Sequence, residues 1–126
     1  MLISFGYTSQ YLPPHGPKRV TRRDWSERHF RTWVRAWEKD PLALHPAWDK
    51  SPRNGGKRIG NIVLASCPYH ESLDEMPEGD LSHEGGMCAT LDEFRQTYFP
   101  EPESLKAGAG IVTVVRFEFV PLGGAQ

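Results

Sequence analysis

A small α+β domain, built on a curled β-sheet or open β-barrel with two or three helices packed against it, is the fold class this sequence predicts. Three observations carry that expectation. Ile111 to Val120 is rich in β-branched and aromatic residues and reads as a strand. Lys57 to Cys67 alternates Ile59, Asn61 and Val63 with Arg58, Gly60, Ile62 and Leu64, and its apolar second half places it centrally in a sheet. Between these strands, and ahead of them, lie two helical patterns. With strands at both chain ends and helices between, helices against one side of a curled sheet is the simplest packing. A length of 126 residues suits one domain, 1–126, with one modest core and residues 121–126 as a frayed tail.

Leu2 to Phe5 is a short strand pattern. Pro13-Pro14-His15-Gly16-Pro17 breaks the chain. Arg19 to Arg22 forms a second short strand, with Val20 and Arg22 on one face and Thr21 and Arg23 on the other. Asp24 or Ser26 can cap the helix that follows, in which Phe30, Trp33, Val34 and Trp37 make one apolar stripe from Glu27 to Lys39. Asp40-Pro41 ends it. Residues 40–56 are irregular, with a short extended piece at Ala47–Lys50. Residues 68–89 are acidic and broken by Pro and Gly, with one short helix over Asp80–Glu84. Thr90-Leu91-Asp92-Glu93 is a capping-box pattern opening a helix that runs to about Tyr98.

Composition excludes several classes. No apolar run is long enough to span a bilayer, and the N-terminus lacks a signal peptide's apolar stretch, so a cytoplasmic protein without a membrane partner is expected. Cys67 and Cys88 give no ligand spacing and the five histidines none either, so no metal and no cofactor is expected and the histidines are assigned to the surface. The acidic loop Glu71, Asp74, Glu75, Glu78 and Asp80 is a solvated face. The near-neutral total hides an asymmetry. Residues 1–58 hold 12 Lys/Arg against 5 Asp/Glu, and the remainder holds 3 against 11. Either the basic half presents a positive surface to phosphates, or the acidic half folds against it and cancels it.

The chemistry-bearing residues cluster in order along the chain. Gly16-x-Lys18-x-x-Thr21-x-Arg23 follows the opening strand, the central strand follows a Gly-containing turn, and His83-Glu84-Gly85 precedes Thr90-Leu91-Asp92-Glu93-Phe94. Together with the closing strand, this order resembles the ASCH domains, a branch of the PUA-like superfamily. The resemblance implies a β-barrel with a cleft lined by the Lys/Thr/Arg segment. It also implies a nucleoside or RNA ligand. Small bacterial members hydrolyse N4-acetylcytidine and related N4-acylated cytosines, which matches Lys18, Thr21 and Glu84 to the catalytic set. The chain is longer than those minimal members by the Trp-rich helix and residues 40–56, which are placed to cover or reshape the cleft.

The same residues can be read without the family. Thr21 offers a hydroxyl that needs a base, and Lys18 is that base if burial or the neighbouring Arg19, Arg22 and Arg23 lower its pKa. Glu84 can pass a proton to a leaving amine or bind it. Lys18 and Thr21 are three apart and would face opposite ways in a pure strand, so the site requires a bend, for which Gly16-Pro17 is the cause. Tyr7, Arg22, Arg23, Trp25 and Trp48 are the expected binding residues, with the arginines on phosphates or carbonyls and the tryptophans stacking on bases. Trp33 and Trp37 share a helical face and belong to the core. Against this stands a plain reading, with Lys18 a solvated turn lysine and Thr21 a cross-strand packing residue. A non-catalytic grip on RNA or single-stranded DNA is the alternative use of the same cleft, and a monomer or weak dimer serves either.

Overall fold

The C-terminal strand organises the others. In a computed structural model, which describes residues 1–123, β6 (Ile111–Pro121) is paired along both flanks. One flank carries β2 (Val20–Arg23), antiparallel, with Thr21 opposite Val115 and Arg23 opposite Thr113. The other carries β5 (Tyr69–Ser72) beside residues 111–114 and β4 (Arg58–Leu64) beside residues 117–121. β3 (His45–Trp48) pairs antiparallel with β4, and β1 (Ile3–Ser4) closes that edge parallel to β3. The result is a mixed sheet curled into a half-barrel, with three α-helices against it: α1 (Glu27–Lys39), α2 (Asp80–Glu84) and α3 (Leu91–Tyr98).

Alternation along β6 separates two cores. Val115 and Phe117 face a cluster that includes Ile3, Phe5, Ile62 and Trp33 of α1. Val112, on the opposite face, packs with Leu73, Leu81, Phe94 and Phe99 beneath α2 and α3. The helix caps act as the sequence indicates. Ser26 accepts from the His29 amide at 3.2 Å. Thr90 accepts from the Glu93 amide at 3.1 Å, and the Glu93 carboxylate reaches back to the Ala89 amide at 2.9 Å. Trp33 is buried, and its indole N–H donates to His29.

Several local expectations are corrected. The acidic stretch contains a strand, β5, too short and polar to show a period. The irregular segment before the central strand supplies β3, which extends the sheet toward β1. His45 is buried against Trp33 rather than on the surface. Pairing runs past residue 120: Pro121 lies opposite Gly60, and the Leu122 amide donates to the Ile59 carbonyl at 3.1 Å. Pro121 and Leu122, expected in a frayed tail, are thus held by the sheet, and residues 124–126 lie outside the described residues. No helix among the described residues is long and apolar enough to cross a membrane.

Gly60 of β4 lies opposite Pro121 of β6. A Cβ there would run into the Val120 carbonyl oxygen and the Phe119 ring. Backbone cannot yield as a flexible side chain can, so Gly60→Ala should cost on the order of 2 kcal/mol. Thermal melting should show Tm lowered by roughly 5–10 °C.

Candidate functional site

Lys18 lies in the turn that feeds β2, not in the strand. Its amide donates to the Tyr11 carbonyl at 2.9 Å, and the Gly16 amide donates to the Leu12 carbonyl at 3.1 Å. A side chain at Gly16 would strike the Tyr11 backbone, so glycine is what lets the turn close. The turn frees Lys18 from strand alternation and lets its side chain and that of Thr21 enter one cavity. The expected bend is present, and Gly16 enables it.

That cavity, about 380 Å³, opens between the start of β2, the end of α2 and the inner face of α3. Lys18, Thr21, Arg23 and Glu84 form its polar side. Phe5, Phe94, Tyr98 and Phe99 form an aromatic wall, with the exposed Tyr7 at the rim. The volume sits at the lower end of the range for small-molecule sites, roughly 300–1,000 Å³.

The Lys18 amine is buried and has three partners. It donates to the Glu84 carbonyl at 2.7 Å, the Val20 carbonyl at 3.1 Å and Glu84 Oε1 at 3.4 Å. Burial dominates its pKa, which falls to about 8; Glu84 opposes the fall, and Arg23 and Arg22 add to it. Thr21 Oγ1 accepts from Arg23 Nε at 2.9 Å, which leaves the hydroxyl proton free to be donated. Arg23 lies over the Phe5 ring, 5.3 Å from its centre, and burial pushes its pKa down to about 10, still cationic at neutral pH.

Behind this wall Arg22 is buried and bound to three carboxylates. Its Nε and Nη2 grip Glu71 at 2.8 and 3.2 Å, Nη2 also reaches Asp80 at 2.6 Å, and Nη1 holds Glu84 Oε2 at 2.9 Å. Burial disfavours its charge, but the hydrogen bonds it donates to Glu71, Asp80 and Glu84 outweigh that and raise its pKa above the usual arginine value. Asp80 is in turn held by Arg116; burial opposes its ionisation, and the bonds from Arg116 and Arg22 outweigh it and lower its pKa.

The expected site residues divide accordingly. Lys18, Thr21, Arg23, Glu84 and Tyr7 come together around one cavity. Arg22 touches the same cavity, but its guanidinium is bonded to three carboxylates, which leaves one Nη1 hydrogen. Trp25 does not line it: its ring stacks on Trp33, centres 5.4 Å apart, and packs at a tilt against His29. Trp48 stands on β3 between β1 and β4, away from it. Arg19 points into a different cavity and does not act on Lys18. The Trp-rich helix and residues 40–56 contribute nothing to the lining. Sequence reasoning missed the aromatic wall of α3, because Phe94 and Tyr98 at i, i+4 look like ordinary core.

The sheet order, the curled half-barrel and the placement of the helices have solved counterparts. An ASCH domain from Lactobacillus crispatus JV V101 superposes with a TM-score of 0.55 at 14% identity, over 95% of this chain and 80% of that one. The fold is that of an ASCH domain. A protein from Enterococcus faecalis V583 assigned to the family model DUF984 matches equally, TM-score 0.55 at 16% identity, over 95% of this chain and 76% of its own. No family model matches the sequence, and no curated protein does. The ASCH-type likeness thus rests on structure, and the site is read from this chain's own residues.

Removing Arg22 would leave Glu71, Asp80 and Glu84 facing one another with one cation fewer. Arg22→Met should lower stability by about 3–5 kcal/mol, the usual result of breaking a buried ion pair from one side. Arg22→Lys should recover only part of it, because one ammonium cannot reach three carboxylates. Chemical denaturation of the three proteins checks the order.

Proposed function

We propose that this ASCH-type domain removes the acyl group from N4-acylated cytosine nucleosides, N4-acetylcytidine being the simplest. One observation carries the reading: a buried amine, a hydroxyl and a carboxylate from distant parts of the chain line a single nucleoside-sized cavity with an aromatic wall. A grip on RNA has less support, because Arg22 is bonded to three carboxylates and neither Trp25 nor Trp48 lines the cavity.

In this reading the neutral Lys18 amine takes the Thr21 proton as Oγ1 attacks the acyl carbon. Arg23, already bonded to that hydroxyl, is placed to steady the oxyanion. The carbon–nitrogen bond then breaks, and the leaving N4 receives the proton carried by Lys18. Water, deprotonated by Lys18, attacks the acyl-threonine, releases the carboxylic acid and restores the hydroxyl. Each Glu84 oxygen already accepts one bond, from Lys18 or Arg22, and has a further lone pair for the cytosine amine. Thr21 is bonded to Arg23 rather than to Lys18, and contacts of this kind commonly close only in the substrate complex.

Purified protein should consume N4-acetylcytidine, followed by loss of the acyl absorbance. Lys18→Ala, Lys18→Arg and Thr21→Val should each lower kcat/KM by at least about 100-fold, the scale of a lost base or nucleophile. No turnover above buffer, or full activity in Lys18→Ala, overturns the reading.

The working form of Lys18 is the neutral amine, so kcat/KM should rise with pH, reach half its maximum near pH 8, and level off above. A pH profile that is flat from 6 to 9 would contradict a base at Lys18.

A further inference from the structure

A second cavity, about 510 Å³, lies across a thin partition from the first. The partition is two short segments, Lys18-Arg19 and His83-Glu84. The Arg19 amide donates to the His83 carbonyl at 2.7 Å, and Lys18 Nζ to the Glu84 carbonyl at 2.7 Å. Consecutive residues face opposite ways. Lys18 and Glu84 line the first cavity, and Arg19 and His83 line the second. Nothing in the chemistry proposed for Lys18 uses the second one.

Its lining is apolar at Phe117 and Phe119 and polar at Arg19, His83, Arg116 and Glu118. The two arginines differ in a useful way. Arg116 is pinned: its guanidinium bonds Asp80 at 2.7 and 3.2 Å and the Tyr69 hydroxyl at 3.0 and 3.2 Å, which leaves one Nη1 hydrogen unspent. Arg19 is exposed and forms no ion pair among the described residues, so all five of its N–H donors remain available. His83 adds a ring nitrogen, its Nδ1 lying 3.9 Å from Asp80. The one free N–H of a pinned Arg116, the free fork of Arg19 and the His83 ring above an aromatic floor are complementary to a tetrahedral oxyanion. A carboxylate has only two oxygens, which Arg19 alone could take, leaving Arg116 and His83 unused. Glu118 is the one carboxylate in the lining, and it is exposed.

We propose that this second cavity binds a phosphate group through Arg19, Arg116 and His83. The phosphate comes either free or on a nucleotide whose ring packs on Phe119. The site is independent of amide hydrolysis at Lys18 and stands or falls separately.

The test is a titration of the full chain by nitrogen–proton NMR, reading the Arg19 and Arg116 Nε–H signals and the His83 ring. The probes are inorganic phosphate, cytidine 5′-monophosphate and cytidine. Inorganic phosphate should shift these signals saturably, and Arg19→Ala should weaken it about tenfold, the equivalent of one charged hydrogen bond. Glu118→Gln should tighten it about twofold by removing a like charge. Both positions are exposed, so an unchanged Tm is expected and confirms folding. Tighter binding of the monophosphate than of phosphate assigns the site to nucleotides; equal binding assigns it to the free ion. The proposal is overturned if phosphate gives no saturable shift at Arg19, if Arg19→Ala binds as well as the parent, or if cytidine alone moves the same signals.

Discussion

Arg22 is a buried cation ringed by Glu71, Asp80 and Glu84, and the placement of the site depends on it. It belongs to β2, and its partners come from β5 and from both ends of α2. A five-residue helix has no stability of its own. α2 stays against the sheet because its first and last residues are held by one guanidinium, with Leu81 packed in the core beneath. Three carboxylates around one cation can be satisfied only by a planar fork with five donors. Their desolvation is costly, so such a cluster is weak evidence for stability gained and strong evidence for position fixed.

That fixed position also tunes Lys18. Glu84 divides its carboxylate between two cations, at 2.9 Å to Arg22 and 3.4 Å to Lys18. Arg22 takes the closer contact, so Lys18 receives only part of the negative charge that would otherwise keep it protonated. Burial and the positive charges of Arg23 and Arg22 then prevail, and the amine drops to about 8. A lysine paired with its own carboxylate would stay a simple cation. Sharing that carboxylate is what turns the buried ammonium toward a base.

Much of the fold was legible in the sequence, and the reason is periodicity. β6, β4, α1 and α3 announce themselves by spacing and by caps, and Lys18, Thr21 and Glu84 could be grouped from the order of short motifs. The rest depended on contacts between distant segments. Alternation puts Arg22 on one face of β2, but whether that face meets water or acid depends on where α2 and β5 land, and β5 was too short to read. Trp25 and Trp48 sat near the basic segment in sequence, yet a tryptophan's role is set by which partner covers its ring, here Trp33 and His29 for Trp25. The charge split between the halves resolved at Arg22, where the acidic half does fold against the basic one.

The segment Gly16–Arg23 therefore is not a positive patch. Its residues serve four different surroundings in turn: Lys18, Thr21 and Arg23 in the first cavity, Arg19 in the second, Val20 in the interior, and Arg22 in the acidic cluster behind them. Strand alternation alone would permit only two surroundings. The turn at Gly16 adds a third direction for Lys18, and the curl of the sheet brings α2 close enough to divide Arg19 from Lys18 with two main-chain acceptors, the His83 and Glu84 carbonyls. Apart from Arg19, the charge of this segment is engaged in placing neighbouring groups. That is the physical reason two separate cavities, and not one continuous basic surface, form at this edge of the half-barrel.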